Sequence, residues 1–154
     1  MRLLVQRVSR AEVRVGGEVV GSVGRGLCVL AGFGPGDDAG LPGSRLWDKA
    51  IEKLLDLRIF PDADGKLNVG LREYGGGLLV VSQFTLYADL KKGRRPSFHL
   101  AAAPDVAEAL YGALVADLSG RMPGLVAAGV FGAEMEVELI NWGPVTIMLD
   151  TAGL

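Results

Sequence analysis

From Glu134 to Leu139 the chain reads E-M-E-V-E-L, a charged and an apolar residue in strict alternation. A helix, with about 3.6 residues per turn, would scatter those glutamates around its circumference. An extended strand sends successive side chains to opposite faces. It gathers Met135, Val137 and Leu139 on one side and Glu134, Glu136 and Glu138 on the other. A strand of this kind has to lay one face on a core. A second run, V-T-I-M-L, apolar and partly β-branched, follows at 145 to 149 and reads as another strand. Between the two stands N-W-G-P-V-T, 141 to 146. Proline offers no N–H to a ladder and glycine weakens a strand. Gly143-Pro144 therefore breaks the pair, and the break needs a reason.

Strand signals also fill the N-terminal part. L-L-V-Q-R-V-S, A-E-V-R-V and E-V-V-G-S-V read as strands, with Gly16-Gly17 as the hairpin turn between the second and third. The continuous apolar runs G-L-C-V-L-A-G-F and L-L-V-V-S-Q-F-T-L read as buried strands, and L-R-I-F as a short one closed by the turn P-D-A-D-G-K. From Ser44 to about Arg58 the period changes. Leu46, Ala50 and Leu54, with Trp47, Ile51 and Leu55, form a wide helical stripe that Ser44 can cap. A second helix starts near Pro104, with Val106, Leu110, Leu114 and Leu118 as its core face, and M-P-G ends it. The segment Y-A-D-L-K-K-G-R-R-P-S-F-H is polar and looped. The 154 residues, 49% hydrophobic and 22% charged, suit one folded domain over 1–154. The fold class is α/β: a mostly antiparallel sheet with two main helices.

Composition limits the function. A net charge of −2 means that any nucleic-acid site is a local basic patch. A single cysteine, Cys28, allows no intrachain disulfide and fits a reducing compartment, here the cytoplasm. No run of eighteen apolar residues is long enough to span a membrane, and the N-terminus lacks the apolar core of a signal peptide. With one histidine and one cysteine there is no zinc set, and D-A-D-G at 62 to 65 lacks the spacing of a calcium loop. G-F-G-P-G and G-G-G lack a phosphate-loop fingerprint and read as turns. Cys28 reads as a buried structural thiol, and His99 as a surface loop residue. K-K-G-R-R, 91 to 95, is either a solvated turn or, beside Pro96-Ser97-Phe98, a contact for phosphate and base. Ser82, Gln83 and Thr85 of S-Q-F-T-L are either solvent-facing strand residues or part of a site where backbone N–H groups hold an oxyanion.

Taken together, S-Q-F-T-L at 82 to 86, G-R-R-P-S-F at 93 to 98 and N-W-G-P-V-T at 141 to 146 resemble the D-aminoacyl-tRNA deacylases (the D-tyrosyl-tRNA deacylase family) in order and spacing. The resemblance covers the whole chain, including Q-R-V-S-R-A-E-V near its start. It implies a barrel- or roll-like sheet and hydrolysis of the ester that joins an amino acid to the terminal ribose of tRNA. It implies a homodimer acting on tRNA without metal or cofactor. Gly143-Pro144 would be the family's cis unit, entering the partner subunit's site, where its carbonyls exclude an L side chain. D-aminoacyl and glycyl esters would pass. Backbone N–H groups around Phe84 and Thr85 would hold the oxyanion, with the ribose 2′-hydroxyl helping to activate water. Thr85 is otherwise the nucleophile or water positioner. Ser82 and Gln83 would shape the site, Ser97 and Phe98 would lie beside the substrate, and Arg94 and Arg95 near RNA phosphates. Trp142 stands where the family has a smaller, often acidic residue. Two rivals are a related deacylase of relaxed chirality and a non-catalytic nucleic-acid-binding protein on the same fold.

Overall fold

The computed structural model describes all residues, 1–154. Its organising element is β1 (Arg2–Val15), which pairs antiparallel with three strands: β2 (Glu18–Val23), β3 (Gly26–Gly32) and β8 (Met135–Asp150). The first half of β1 carries β3, the second half carries β2, and β8 runs along both. The sequence suggests two strands where β1 is one. Register shifts between Gln6 and Val8 and between Val8 and Arg10 bend β1 without ending it, as bulges do.

β3 pairs in parallel with β6 (Gly77–Ser82), which pairs in parallel with β7 (Val126–Ala128). The sheet is thus mostly antiparallel with two parallel additions. β7 turns back toward β2 so closely that a Cβ on Gly21 would sit 2.8 Å from the Ala128 carbonyl oxygen. The sheet comes close to closing as a barrel. Parallel neighbours need a long crossover. The two expected helices, α1 (Arg45–Asp56) and α3 (Pro104–Arg121), supply these crossovers. Strands covered on both faces are apolar throughout, which explains the runs at 27–31 and 78–81.

α1 begins at Ser44, whose hydroxyl accepts from the Trp47 N–H at 3.2 Å. It buries Trp47, Ala50, Ile51, Leu54 and Leu55, while Leu46 stays exposed at the edge of the stripe. α3 buries Leu110, Leu114 and Leu118 as expected, and Tyr111 lies deeper than Val106. Both helices pack on one side of the sheet. Inside the barrel, Val8, Val13, Cys28, Leu79 and Val81 form a smaller core, against which Met135, Val137 and Leu139 pack. The alternating run thus faces inward where its pattern requires.

The remaining departures are local. L-R-I-F keeps only β4 (Phe60–Pro61), paired with β5 (Leu67–Val69) around the Asp62 turn. The one-turn α2 (Leu71–Tyr74) precedes Gly75, and it is too short to show a helical period. The last two expected strands are one strand, β8, interrupted in its pairing but not in its direction. No helix is long and apolar enough to cross a membrane.

Candidate active site

The ladder between β3 and β6 ends at Ser82, opposite Ala31. One further bond, from the Gln83 N–H to the Ala31 carbonyl at 2.7 Å, carries the chain past the strand end. The backbone then winds into a 3-10 turn, Phe84–Tyr87. S-Q-F-T-L is therefore not one strand. Gly32 of β3 makes the turn possible, because a Cβ there would lie 2.7 Å from the Gln83 carbonyl oxygen and 3.3 Å from the Leu86 Cβ. At the start of the turn, the N–H groups of Phe84 and Thr85 have no acceptor within it. The Gln83 side-chain amide donates to the Thr85 hydroxyl oxygen, which leaves the hydroxyl proton free to donate elsewhere.

Beside the turn lies a cavity of about 660 Å³, lined mainly by apolar residues. Ser82, Gln83, Phe84 and Phe98 form one wall, and Pro104, Ala107, Phe131 and Met135 contribute to the others. Phe84 and Phe98 meet edge to face, with ring centroids 4.9 Å apart. Two backbone bonds between Asp89 and Ser97, at 2.7 and 3.0 Å, pinch the neck of the intervening loop. The pinch returns Phe98 to Phe84 and pushes the tip outward. Lys91, Lys92, Arg94 and Arg95 are exposed there, and none of them forms an ion pair.

His99 is exposed, as its loop position suggests. Its Nδ1 lies 2.8 Å from the Ser97 hydroxyl, and its Nε2 lies 3.8 Å from an Asp89 carboxylate oxygen. These three side chains do not line the cavity; only Phe98 of that segment does. Cys28 is buried, and burial pushes its thiol up to about 11, so it stays protonated and unreactive at neutral pH.

Gly143-Pro144 has a cis peptide bond, and Gly143 has φ 136. Both residues are exposed. Here β8 jumps register, from Asn141 opposite Val8 to Thr146 opposite Gln6. The Asn141 side chain fills the gap in the ladder. Its Oδ1 accepts from the Val145 N–H at 2.7 Å and its Nδ2 donates to the Val145 carbonyl at 3.1 Å. Arg7 supports the segment from below. It is 6% exposed, and its Nε donates to the Trp142 carbonyl at 2.8 Å. The Trp142 ring lies under both Arg7 and Arg25, at 4.5 and 5.1 Å, and packs toward Phe60 and Tyr74. The unusual Trp142 thus anchors the segment. Asn141 lay in view within the motif, but nothing local marked Arg7 or Arg25.

One protomer does not bring the two halves of the expected site together. Gly143-Pro144 sits at the level of Arg7, which pairs through Leu27 to Leu78 of β6. Ser82 lies four residues further along β6, roughly 13 Å at ~3.3 Å per residue, and three strands across.

The cavity is mainly apolar, and none of its lining residues is a histidine, cysteine or acid that could form a catalytic triad. The chain belongs to the D-aminoacyl-tRNA deacylase family: residues 4–150 match the family described as D-Tyr-tRNA(Tyr) deacylase. It is 61% identical over 154 residues to the D-aminoacyl-tRNA deacylase of Nitratidesulfovibrio vulgaris (strain DP4), covering 100% of this chain and 95% of that one. It is 59% identical to the D-aminoacyl-tRNA deacylase of Solidesulfovibrio magneticus, covering 100% and 98%. A solved structure described as c-Myc DNA Unwinding Element Binding Protein superposes with a TM-score of 0.87 at 41% identity, over 97% of this chain and 98% of that one. Another, described as a probable eukaryotic D-amino acid tRNA deacylase, gives 0.78 at 24% identity over 96% and 97%, which supports the fold alone. The enzyme is thus a hydrolase acting on D-aminoacyl-tRNA.

Proposed function

We propose that two copies of the chain form a two-fold dimer in which Gly143-Pro144 of each enters the cavity beside Phe84 and Thr85 of the other. The observation that carries this reading is the separation just described. The exposed Gly143-Pro144 segment and the Ser82–Thr85 turn lie at different levels of the sheet, which supports their meeting across two copies. A two-fold pair builds both sites at once. The carbonyls of the inserted segment face the α-carbon of the aminoacyl group and exclude an L side chain. D-aminoacyl and glycyl esters are cleaved, and no side-chain pocket is read.

In the reaction, a water oxygen adds to the ester carbonyl carbon. The N–H groups of Phe84 and Thr85 hold the oxyanion, the ester C–O bond breaks, and the ribose oxygen takes a proton. An aminoacyl ester is already activated, so the ribose 2′-hydroxyl can orient the water without a strong protein base. The Thr85 hydroxyl, held by Gln83, has no imidazole or carboxylate partner, which favours water positioning over nucleophilic attack. Ser82 and Gln83 shape the wall, and Phe98, held in place by Ser97, packs beside the substrate. Arg94 and Arg95 meet RNA phosphates. They are exposed and unpaired, so a polyanion can claim them without displacing an acid. The name of the DNA-binding structural neighbour points to nucleic-acid contact on this fold, which here we assign to tRNA.

The test is subunit mixing. Phe84→Ala damages the cavity and Gly143→Ala damages the inserted segment, and each homodimer should be inactive. After mixing and exchange, heterodimers carry one intact site, so about a quarter of wild-type activity on D-tyrosyl-tRNA should return. Mixtures as dead as their components would refute the shared site. Wild type should cleave D-tyrosyl- and glycyl-tRNA and spare L-tyrosyl-tRNA. Equal rates on both hands would refute the chiral selection.

A further inference from the structure

The far end of the 3-10 turn is held by a residue that no motif marks. Arg2 sits in β1 opposite Gly32 of β3 and opposite Asp150 of β8. Its guanidinium makes three contacts. Nε donates to the Asp150 carboxylate at 2.9 Å, and Nη1 donates to the Leu86 carbonyl at 2.8 Å. The plane of the group covers the Tyr87 ring at 4.5 Å from its centroid. Leu86 and Tyr87 are the last two residues of the turn whose first two amides face the ester in the reading above.

The setting leaves the turn few other supports. Its N-terminal side hangs on the single bond from Gln83 to Ala31. On the other side Tyr87 lies over Gly34, where a Cβ would come within 2.5 Å of the ring. Gly32 and Gly34 thus let the turn approach the sheet, but glycine contributes no side chain to grip it. Arg2 supplies that grip. Asp150 is itself fixed, because its second oxygen accepts from the Ala152 N–H at 3.0 Å. A lysine could bond the carboxylate or the carbonyl, but it has no plane to lay on the ring.

We propose that Arg2 is a positioning residue for ester hydrolysis: it clamps the Leu86–Tyr87 end of the turn and so holds the Phe84 and Thr85 amides at the oxyanion position. The proposal rests on the oxyanion reading of the turn. A donor moved by a fraction of an ångström loses most of its value in the transition state while ground-state binding changes little.

The experiment combines single-turnover kinetics on D-tyrosyl-tRNA with backbone amide exchange across residues 84–88 in Arg2→Gln, Arg2→Lys and Asp150→Asn. Arg2→Gln should lower the rate constant ~10–100-fold with the substrate concentration dependence nearly unchanged, as for a misplaced catalytic group. Amide exchange in the turn should quicken, and the melting temperature should barely move. Arg2→Lys should recover part of the rate, and Asp150→Asn should show a smaller loss of the same kind. Unchanged rate and unchanged exchange in Arg2→Gln would overturn the clamp and leave the oxyanion reading standing. Faster exchange with an unchanged rate would overturn the positioning role and the oxyanion reading together. A rate loss that follows global unfolding, with no local change in exchange, would make Arg2 merely structural and also overturn the proposal.

Discussion

Where α1 meets α3, charged side chains find one another; at the tip of the 91–95 loop beside the 3-10 turn, they do not. On the helical face Arg121 bonds Asp48 at 2.7 Å, Glu52 at 2.6 Å and Asp117 at 2.7 Å. Arg72 reaches the same Glu52 at 3.0 Å, and the Trp47 indole N–H donates to Asp117 at 2.7 Å. Hydrogen bonding from Arg121 holds the Asp117 carboxyl below its ordinary range despite some burial. At the turn, four cations of the 91–95 loop lack a carboxylate, two backbone amides lack an acceptor within the turn, and Phe84 is 54% exposed. The helical face is complete within the chain. The other edge leaves donors, cations and aromatic surface without partners in the chain. A site in this molecule is recognised by what its own chain leaves unmatched.

The contrast can be broken, and the largest effect should come from the completed side. Trp47→Ala removes a side chain 1% exposed and one hydrogen bond. It should destabilise the fold by ~3–5 kcal/mol in urea unfolding, with the rate per folded molecule unchanged. A specific loss of rate without loss of stability would erase the division.

Gly143→Ala should do the reverse. At φ 136 a side chain is strained, and its Cβ would lie 2.9 Å from Arg7 Nη2 and from Val145 Cγ2. The segment must shift, and deacylation of D-tyrosyl-tRNA should fall ~100-fold while unfolding changes far less. Full activity in this variant would remove the segment from the site.

Arg94→Ala combined with Arg95→Ala sharpens the comparison at the loop. Binding of tRNA should weaken, and its log–log salt slope should fall by ~1–2. An unchanged slope would make the loop a solvated turn like any other.

The smallest effect belongs to Arg121→Leu, which leaves three carboxylates without their common cation. These groups are partly exposed, so the cost should be about 1 kcal/mol at neutral pH. The sign with pH is defined. Asp117 has a lowered folded value, so its contribution is present above the ordinary carboxylate range and is lost as pH falls through that lowered value. Urea midpoints of wild type and variant should differ at pH 7 and converge as pH falls below the ordinary carboxylate range. A gap that persists in acid would show that Arg121 acts through its alkyl packing instead.

Much of this architecture is written in local pattern. The alternation at 134–139, the two apolar runs and the two helical stripes place most elements and both cores, because burial on one face imposes a period that a short window displays. The three motifs that mark the family are contiguous, so they too can be read directly. Exposure of His99 and burial of Cys28 follow from their neighbours. What no window shows is pairing between distant residues. S-Q-F-T-L carries the propensity of a strand throughout, yet it turns after Ser82 because Gly32, fifty residues earlier, leaves room for it. β8 stays one strand through Gly143-Pro144 because Asn141 bonds Val145 across the gap and Arg7 on β1 holds the Trp142 carbonyl. Arg2 meets Asp150 and Leu86 only once β1 lies between β3 and β8. The sequence by itself determined the elements, their buried faces and the family. The tertiary structure alone decided the turn that frees the Phe84 and Thr85 amides, the clamp behind it and the distance to Gly143-Pro144. Periodicity records which face of an element is buried, whereas register and packing join residues that no local pattern relates.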